Sequence, residues 1–150
     1  MLTYVKGDAT QPQGDGRKII VHCCNDRGAW GSGFVVALSR RWPEPEAKYR
    51  SCPQYHLGDI IWARVEDDIW VANLIGQHRT GFDEFGYPPI RYDAILQGLR
   101  RIGEICDPIN ASVHMPRMGA GLAGGNWSII ELIVEQELVA KGVPVTVYDL

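Results

Sequence analysis

The stretch from His114 to Trp127, HMPRMGAGLAGGNW, passes from an apolar strand end through a run of glycines into a helix start. Amides exposed at Gly119, Gly121, Gly124 and Gly125 can approach an oxyanion closely, and the helix that follows adds the positive end of its dipole. The natural ligand of such a loop is a phosphate. A second loop of the same kind, NDRGAWGSGF from Asn25 to Phe34, also joins a strand to a helix. Together the two imply a cleft that grips a pyrophosphate from both sides, with Asn25 and the segment 76–89 near whatever is attached to it.

Side chains able to move a proton are sparse around these loops. His78 lies beside Arg79 in the polar segment Gly76 to Pro89, GQHRTGFDEFGYPP, and such a long irregular segment in a compact domain is usually functional or mobile. Asp83 and Glu84 could act as a base but have no evident partner to tune them. His22 and His114 fall on strands, where a satisfied structural histidine is the plainer reading. Trp30 and Trp127 read as apolar burial near loops. Cys23, Cys24, Cys52 and Cys106 contain no C-x-x-C pair and read as structural thiols. No metal-binding cluster is apparent, so metal independence is expected.

These loops need strands and helices to hold them. Leu2 to Lys6 reads as an edge strand, closed by Gly7 and Asp8, with Asp8 ending a turn or capping a stub from Ala9 to Gln11. Lys18 to Cys24 is almost continuously apolar, as in a central strand covered on both faces. A helix follows from Phe34 to Arg41, stopped by Pro43 and Pro45, and a shorter one from Glu46 to Cys52. Asp59 to Val65 and Ile69 to Ile75 read as an antiparallel pair. Pro88 and Pro89 open a helix from Ile90 to Ile105, and Asp107 to Ala111 connects it to a strand from Ser112 to Met115. Beyond the glycine loop, Ser128 and Glu131 have capping-box spacing, and Ile129, Ile130, Leu132, Ile133, Leu138 and Val139 form the buried face. Val143 to Leu150 is the last strand. The alternation predicts an α/β domain, a sheet with helices on both faces.

At 150 residues the chain fits one domain, 1–150, with a single sizeable core. Its net charge of −3 comes without any basic run longer than a pair, so it lacks the footprint of a sequence-general nucleic-acid binder. No signal-peptide layout opens the chain and no apolar run is long enough for a membrane span, which predicts a soluble, cytoplasmic protein. Gly119 to Gly124 formally matches the G-x-G-x-x-G of dinucleotide folds. That fold needs a further strand with an acid about 20 residues on and additional βα units, whereas one strand follows here. A phosphate loop set late in a small α/β domain is the better fit.

The same residues resemble the macrodomain family, three-layer α/β/α modules with a mixed central sheet that bind ADP-ribose. YVKGDAT is similar to the family's first strand and Gly-Asp motif, VHCCN to its V-N-A-A-N strand end, GSGF to its ribose loop and MPRMGAGLAGGNW to its phosphate loop. Within the family the resemblance is closest to the branch holding terminal ADP-ribose protein glycohydrolase and ADP-ribose 1″-phosphate phosphatase. It implies that Asp8, Ala9 and Leu150 meet the adenine end. Asn25, Gly31, Ser32, Gly33 and Phe34 would meet the distal ribose and pyrophosphate, and Arg117, Met118, Gly119, Ala120, Gly121, Leu122 and Ala123 would wrap the phosphates.

The glycohydrolase branch uses a lysine nucleophile and an aspartate in the phosphate loop. Their positions fall at Gln77 or His78 and at Ala123, and neither residue type is present. A Schiff-base route therefore has no amine to start from. The expectation is an ADP-ribosyl hydrolase acting on modified proteins through activated water, with Asn25 and His78 as the catalytic candidates, no cofactor, and a monomer whose partner is ADP-ribose or an ADP-ribosylated protein. The alternatives are a non-catalytic ADP-ribose reader and an ADP-ribose 1″-phosphate phosphatase, the latter needing a general base near the terminal phosphate, with His78, His22 or Asp83 as candidates.

Overall fold

The computed structural model describes residues 1–150. In chain order it contains β1 (Leu2–Lys6), β2 (Lys18–Asn25), α1 (Phe34–Arg41), α2 (Glu44–Arg50), β3 (Ile60–Glu66), β4 (Ile69–Gln77), α3 (Tyr92–Ile109), β5 (Ser112–Met115), α4 (Trp127–Glu137) and β6 (Val145–Asp149). The strands form one mixed sheet in the order β1-β6-β5-β2-β4-β3. All neighbours run parallel except β3, which lies antiparallel to β4 at the edge. No helix is long and apolar enough to cross a membrane.

The alternation of side chains along β2 creates the three layers. Ile19 and Val21 point into a core shared with α3 and α4, whereas Ile20 and Cys24 point into a second core shared with α1 and α2. Both faces of β2 are covered, which is why its sequence is apolar from Ile19 to Val21 and again at Cys23 and Cys24. Leu38 of α1 and Tyr49 of α2 are fully buried on one side, as are Leu99 of α3 and Ile130 of α4 on the other. Burying side chains of this size stabilises the fold by about 1.5–3 kcal/mol each relative to exposure.

Several expected boundaries shift. Pro45 does not stop α1; it sits in the first turn of α2, where its missing N–H costs nothing, so that helix starts at Glu44 and ends at Arg50. Ile90 pairs in a bridge with Gln77, delaying α3 to Tyr92, and α3 then runs past Pro108 to Ile109. Asn110, left-handed at φ 54°, closes it. The cap of α4 is Asn126, whose side chain accepts from the Ser128 amide, rather than a Ser128–Glu131 box. Glu131 instead accepts a hydrogen bond from the Tyr4 hydroxyl. Ile129 and Leu132 are exposed, and α4 buries Ile130, Ile133, Val134 and Glu137. The final strand is shorter than its apolar pattern, Val145 to Asp149, and Leu150 projects into solvent.

Candidate functional site

β2 and β5 are neighbours, yet the chain leaving β2 enters α1 on one face of the sheet and the chain leaving β5 enters α4 on the other. Parallel strands whose connections diverge in this way leave a crevice beyond their carboxyl ends. A cleft of about 470 Å³ lies there, lined by both glycine-rich loops, the end of β2, Gln77 at the end of β4, and Thr80 and Gly81 beyond it. Its size suits a small-molecule ligand.

The two loops offer donors to this cleft. The backbone amides of Gly31, Ser32, Gly33, Phe34 and Val35 have no partner in the chain, nor do those of Gly119, Gly121, Leu122 and Ala123, and all nine residues line the cleft. Those of Phe34 and Val35 belong to the first turn of α1, which Gly33 leaves without a side-chain cap. A Cβ on Gly33 would stand 3.4 Å from Leu122, so the loops meet at one point.

Each loop is anchored differently. The Asn25 amide oxygen accepts from the Arg27 and Ala29 amides, both at 3.0 Å, and from the Tyr49 hydroxyl at 2.9 Å, while its nitrogen donates to Ala29 O at 2.8 Å. That occupies the oxygen and one of the two amide protons, leaving one donor for the cleft. Asn25 thus shapes its loop and can donate to a ligand, but its oxygen is not available to accept a proton from water. The loop after β5 is held by close backbone contact. A Cβ on Gly125 would stand 2.4 Å from Gly119 O, and one on Gly119 2.8 Å from Ile90. Gly119 and Gly124 also adopt positive φ, 76° and 73°.

The sequence-derived candidates separate on inspection. Gly31, Ser32, Gly33, Phe34, Asn25, Arg117, Met118, Gly119, Gly121, Leu122 and Ala123 all line the cleft; Ala120 lies within the loop but not on its surface. Arg117 is no free cation. Its guanidinium forms two bonds with Asp149, at 2.7 and 3.0 Å, and lies over the Tyr4 and Trp127 rings. The guanidinium in turn holds the Asp149 carboxyl below its usual range. Asp8, Ala9 and Leu150 fall outside the lining. Asp8 closes a tight turn by accepting from the Thr10 amide and hydroxyl, both at 2.8 Å, so no helical stub forms.

His78 also lies outside the lining, bonded through Nδ1 to Asp26 at 2.7 Å. Burial works to raise the Asp26 carboxyl, but bonds from the Arg79 amide and the His78 ring keep it below the ordinary value. The pair fastens the loop after β2 to the loop after β4.

His22, read from sequence chiefly as a core histidine and as a base only for the phosphatase alternative, is both buried and in the cleft lining. Asn73 donates to Pro45 O at 3.0 Å, which turns its amide oxygen toward His22 Nε2, 2.5 Å away. The proton is therefore fixed on Nε2, and Nδ1, with the Cys24 Sγ 3.7 Å away, is the accepting nitrogen. Burial pushes the pKa of His22 down to about 4 despite the opposing pull of Asn73, so the ring is neutral at pH 7. Burial likewise pushes the Cys23 thiol, on the same floor, up to about 12, which removes it as a nucleophile. His22, Cys23, Cys24 and Arg117 are the ionisable residues in the lining, with no carboxylate or amine among them. A signal for His22 was present in the sequence: three residues before Asn25, it is the one basic side chain in an otherwise apolar strand interior.

No family model matches the sequence. The ADP-ribose 1″-phosphate phosphatase of Saccharomyces cerevisiae is 40% identical over 177 aligned residues, covering 99% of this chain and 98% of that protein. The mouse chromodomain-helicase-DNA-binding protein 1-like is 32% identical over 160 residues; this chain is matched over 98% of its length but spans only 17% of that relative. Among solved structures, a macrodomain protein from Streptomyces coelicolor superposes with a TM-score of 0.87 at 46% identity, covering 100% of this chain and 99% of the other. Similarity of this degree along nearly the whole length, on a six-stranded sheet with helices on both faces, places the chain in the macrodomain family.

Proposed function

We propose that the cleft binds ADP-ribose and that the protein hydrolyses the bond between ADP-ribose and a modified protein. The observation that carries the reading is the pair of free-amide sets on opposite loops, Gly31 to Val35 on one and Gly119 with Gly121 to Ala123 on the other, which suit a pyrophosphate approached from two sides. Asn25, with its remaining amide proton, serves the distal ribose. Water is the nucleophile, because the lining offers no lysine. It adds at the anomeric carbon, the protein carboxylate leaves, and the water proton passes to an acceptor. His22 Nδ1 is the neutral nitrogen base in the lining and takes that role. His78, tied to Asp26, supports it by holding the two loops together. The protein acts as a cytoplasmic monomer without a metal.

Two other readings have specific support. A lining without carboxylate or amine favours a reader that binds ADP-ribose and leaves it intact. The name of the yeast relative favours removal of a terminal phosphate from ADP-ribose 1″-phosphate. Calorimetry with ADP-ribose tests binding, and incubation with an auto-modified ADP-ribosyl transferase and separately with ADP-ribose 1″-phosphate tests turnover. Release of ADP-ribose from the protein is the expected result, undiminished by a chelator. Binding without release of either product overturns the hydrolase in favour of the reader.

A further inference from the structure

We infer that Phe82, Phe85 and Tyr87 form a seat for the polypeptide that carries the ADP-ribosyl group, with Asp83 and Glu84 favouring a segment that has basic residues beside the modified one. This rests on the proposed ADP-ribose cleft and names what that cleft recognises beyond the nucleotide. Phe82 is 65% exposed, Phe85 76% and Tyr87 66%, three large rings within six residues. Isolated apolar side chains on a surface are ordinary, but a cluster on one short loop marks an interaction site.

The loop is built to present these rings. Asp83 Oδ1 accepts from the Phe85 and Tyr87 amides, both at 2.9 Å, and the Asp83 amide donates to Tyr87 O at 3.0 Å. The loop also packs on the glycine loop after β5, since Phe82 lies 3.3 Å from where a Cβ on Gly124 would stand. Thr80 and Gly81, just before it, line the cleft. The position of the loop supplies direction. The cleft opens past Thr80 and Gly81, on the side of β4, directly into the segment that carries the three rings. A group attached to the ligand and leaving the cleft on that side emerges beside the aromatic loop. A nucleic-acid strand there would bring its phosphates against Asp83 and Glu84, so the charge favours a polypeptide.

The test compares wild type with the double variant Phe85→Ala and Tyr87→Ala, in which both amides still donate to Asp83. Calorimetry is run with ADP-ribose and with a lysine-flanked ADP-ribosylated peptide whose linkage resists hydrolysis. Wild type is expected to bind the peptide about tenfold tighter than free ADP-ribose, and the variant to lose that advantage while its affinity for ADP-ribose stays the same. Equal peptide affinity in the two proteins overturns the aromatic seat alone. Failure of wild type to bind ADP-ribose overturns the cleft reading and the seat with it. Tighter binding of an ADP-ribosylated oligonucleotide than of the peptide overturns the choice of polypeptide.

Discussion

The two glycine-rich loops present the same kind of surface, a row of free amides, but are held by opposite means. The loop after β2 is tied by side chains: Asn25 bonds into it, and the Tyr49 hydroxyl donates to Asn25 while accepting from the Gly28 amide at 3.1 Å. The loop after β5 is tied by the absence of side chains, since Gly119, Gly124 and Gly125 let backbone and neighbouring residues approach to distances that a Cβ would forbid. One loop therefore depends on particular hydrogen bonds and the other on particular gaps. Each nonetheless keeps one glycine, Gly31 or Gly121, whose Cβ would meet nothing within 4 Å.

That contrast can be broken at three points. The largest effect is expected from Gly121→Glu, where open space lets the chain fold while a carboxylate enters the amide row. ADP-ribose affinity should fall at least about 100-fold by calorimetry, from like-charge repulsion and lost amide contacts, with the melting temperature unchanged. Unchanged affinity in the folded variant would place the ligand elsewhere. Next come Gly125→Ala and Tyr49→Phe, measured by urea unfolding. The first should cost about 2–3 kcal/mol through forced overlap with Gly119 O, and the second about 1–2 kcal/mol through the half-buried Gly28 amide and the buried Asn25 carbonyl left without their hydroxyl. A harmless Gly125→Ala would show that the second loop can relax, and the distinction between bonds and gaps would fail.

The smallest effect compares the strands beneath the loops. His22 on β2 and His114 on β5 are both pushed by burial from the ordinary 6.5 down to about 4, and His114 bonds to Ser112 and Tyr148. The unfolded chain binds protons more readily at these groups, so their contribution is complete above pH 6.5 and is lost as pH falls toward 4. Stability should drop by about 1 kcal/mol between pH 7 and pH 6, read as a lower urea midpoint. A midpoint that rose on acidification would mean that the rings are held charged. Replacing His22 or His114 separately by Asn would show whether one loop's foundation is the more sensitive.

The strands, the layer order and both glycine loops were legible because they rest on periodicity and on residues whose backbone needs are distinctive. The partners of individual polar groups were not. Asn25 reads as a ligand contact from its place after β2, but that its oxygen is occupied by Arg27, Ala29 and Tyr49 depends on a helix 19 or more residues further along. His78 pairs with Asp26 across two loops, and His22 acquires its fixed tautomer from Asn73 on a neighbouring strand. In α4, the hydrophobic residues Ile129 and Leu132 satisfied a helical pattern while facing water, because the helix rotates to bury Ile130, Ile133 and Val134 against the sheet. Composition can show that a face exists; only packing decides its exact orientation.

One pairing in the sheet bears on the order of assembly. β1 touches no strand except β6, with Leu2 opposite Val145 and Lys6 opposite Asp149. During synthesis β1 leaves the ribosome early and has nothing to pair with until β6 follows, so its contacts carry the greatest loop-closure entropy in the sheet. β2, β4 and β5 can assemble the floor of the cleft beforehand. The Asp8 turn, which directly follows β1, is therefore expected to order late, after the strands beneath the two glycine loops have paired.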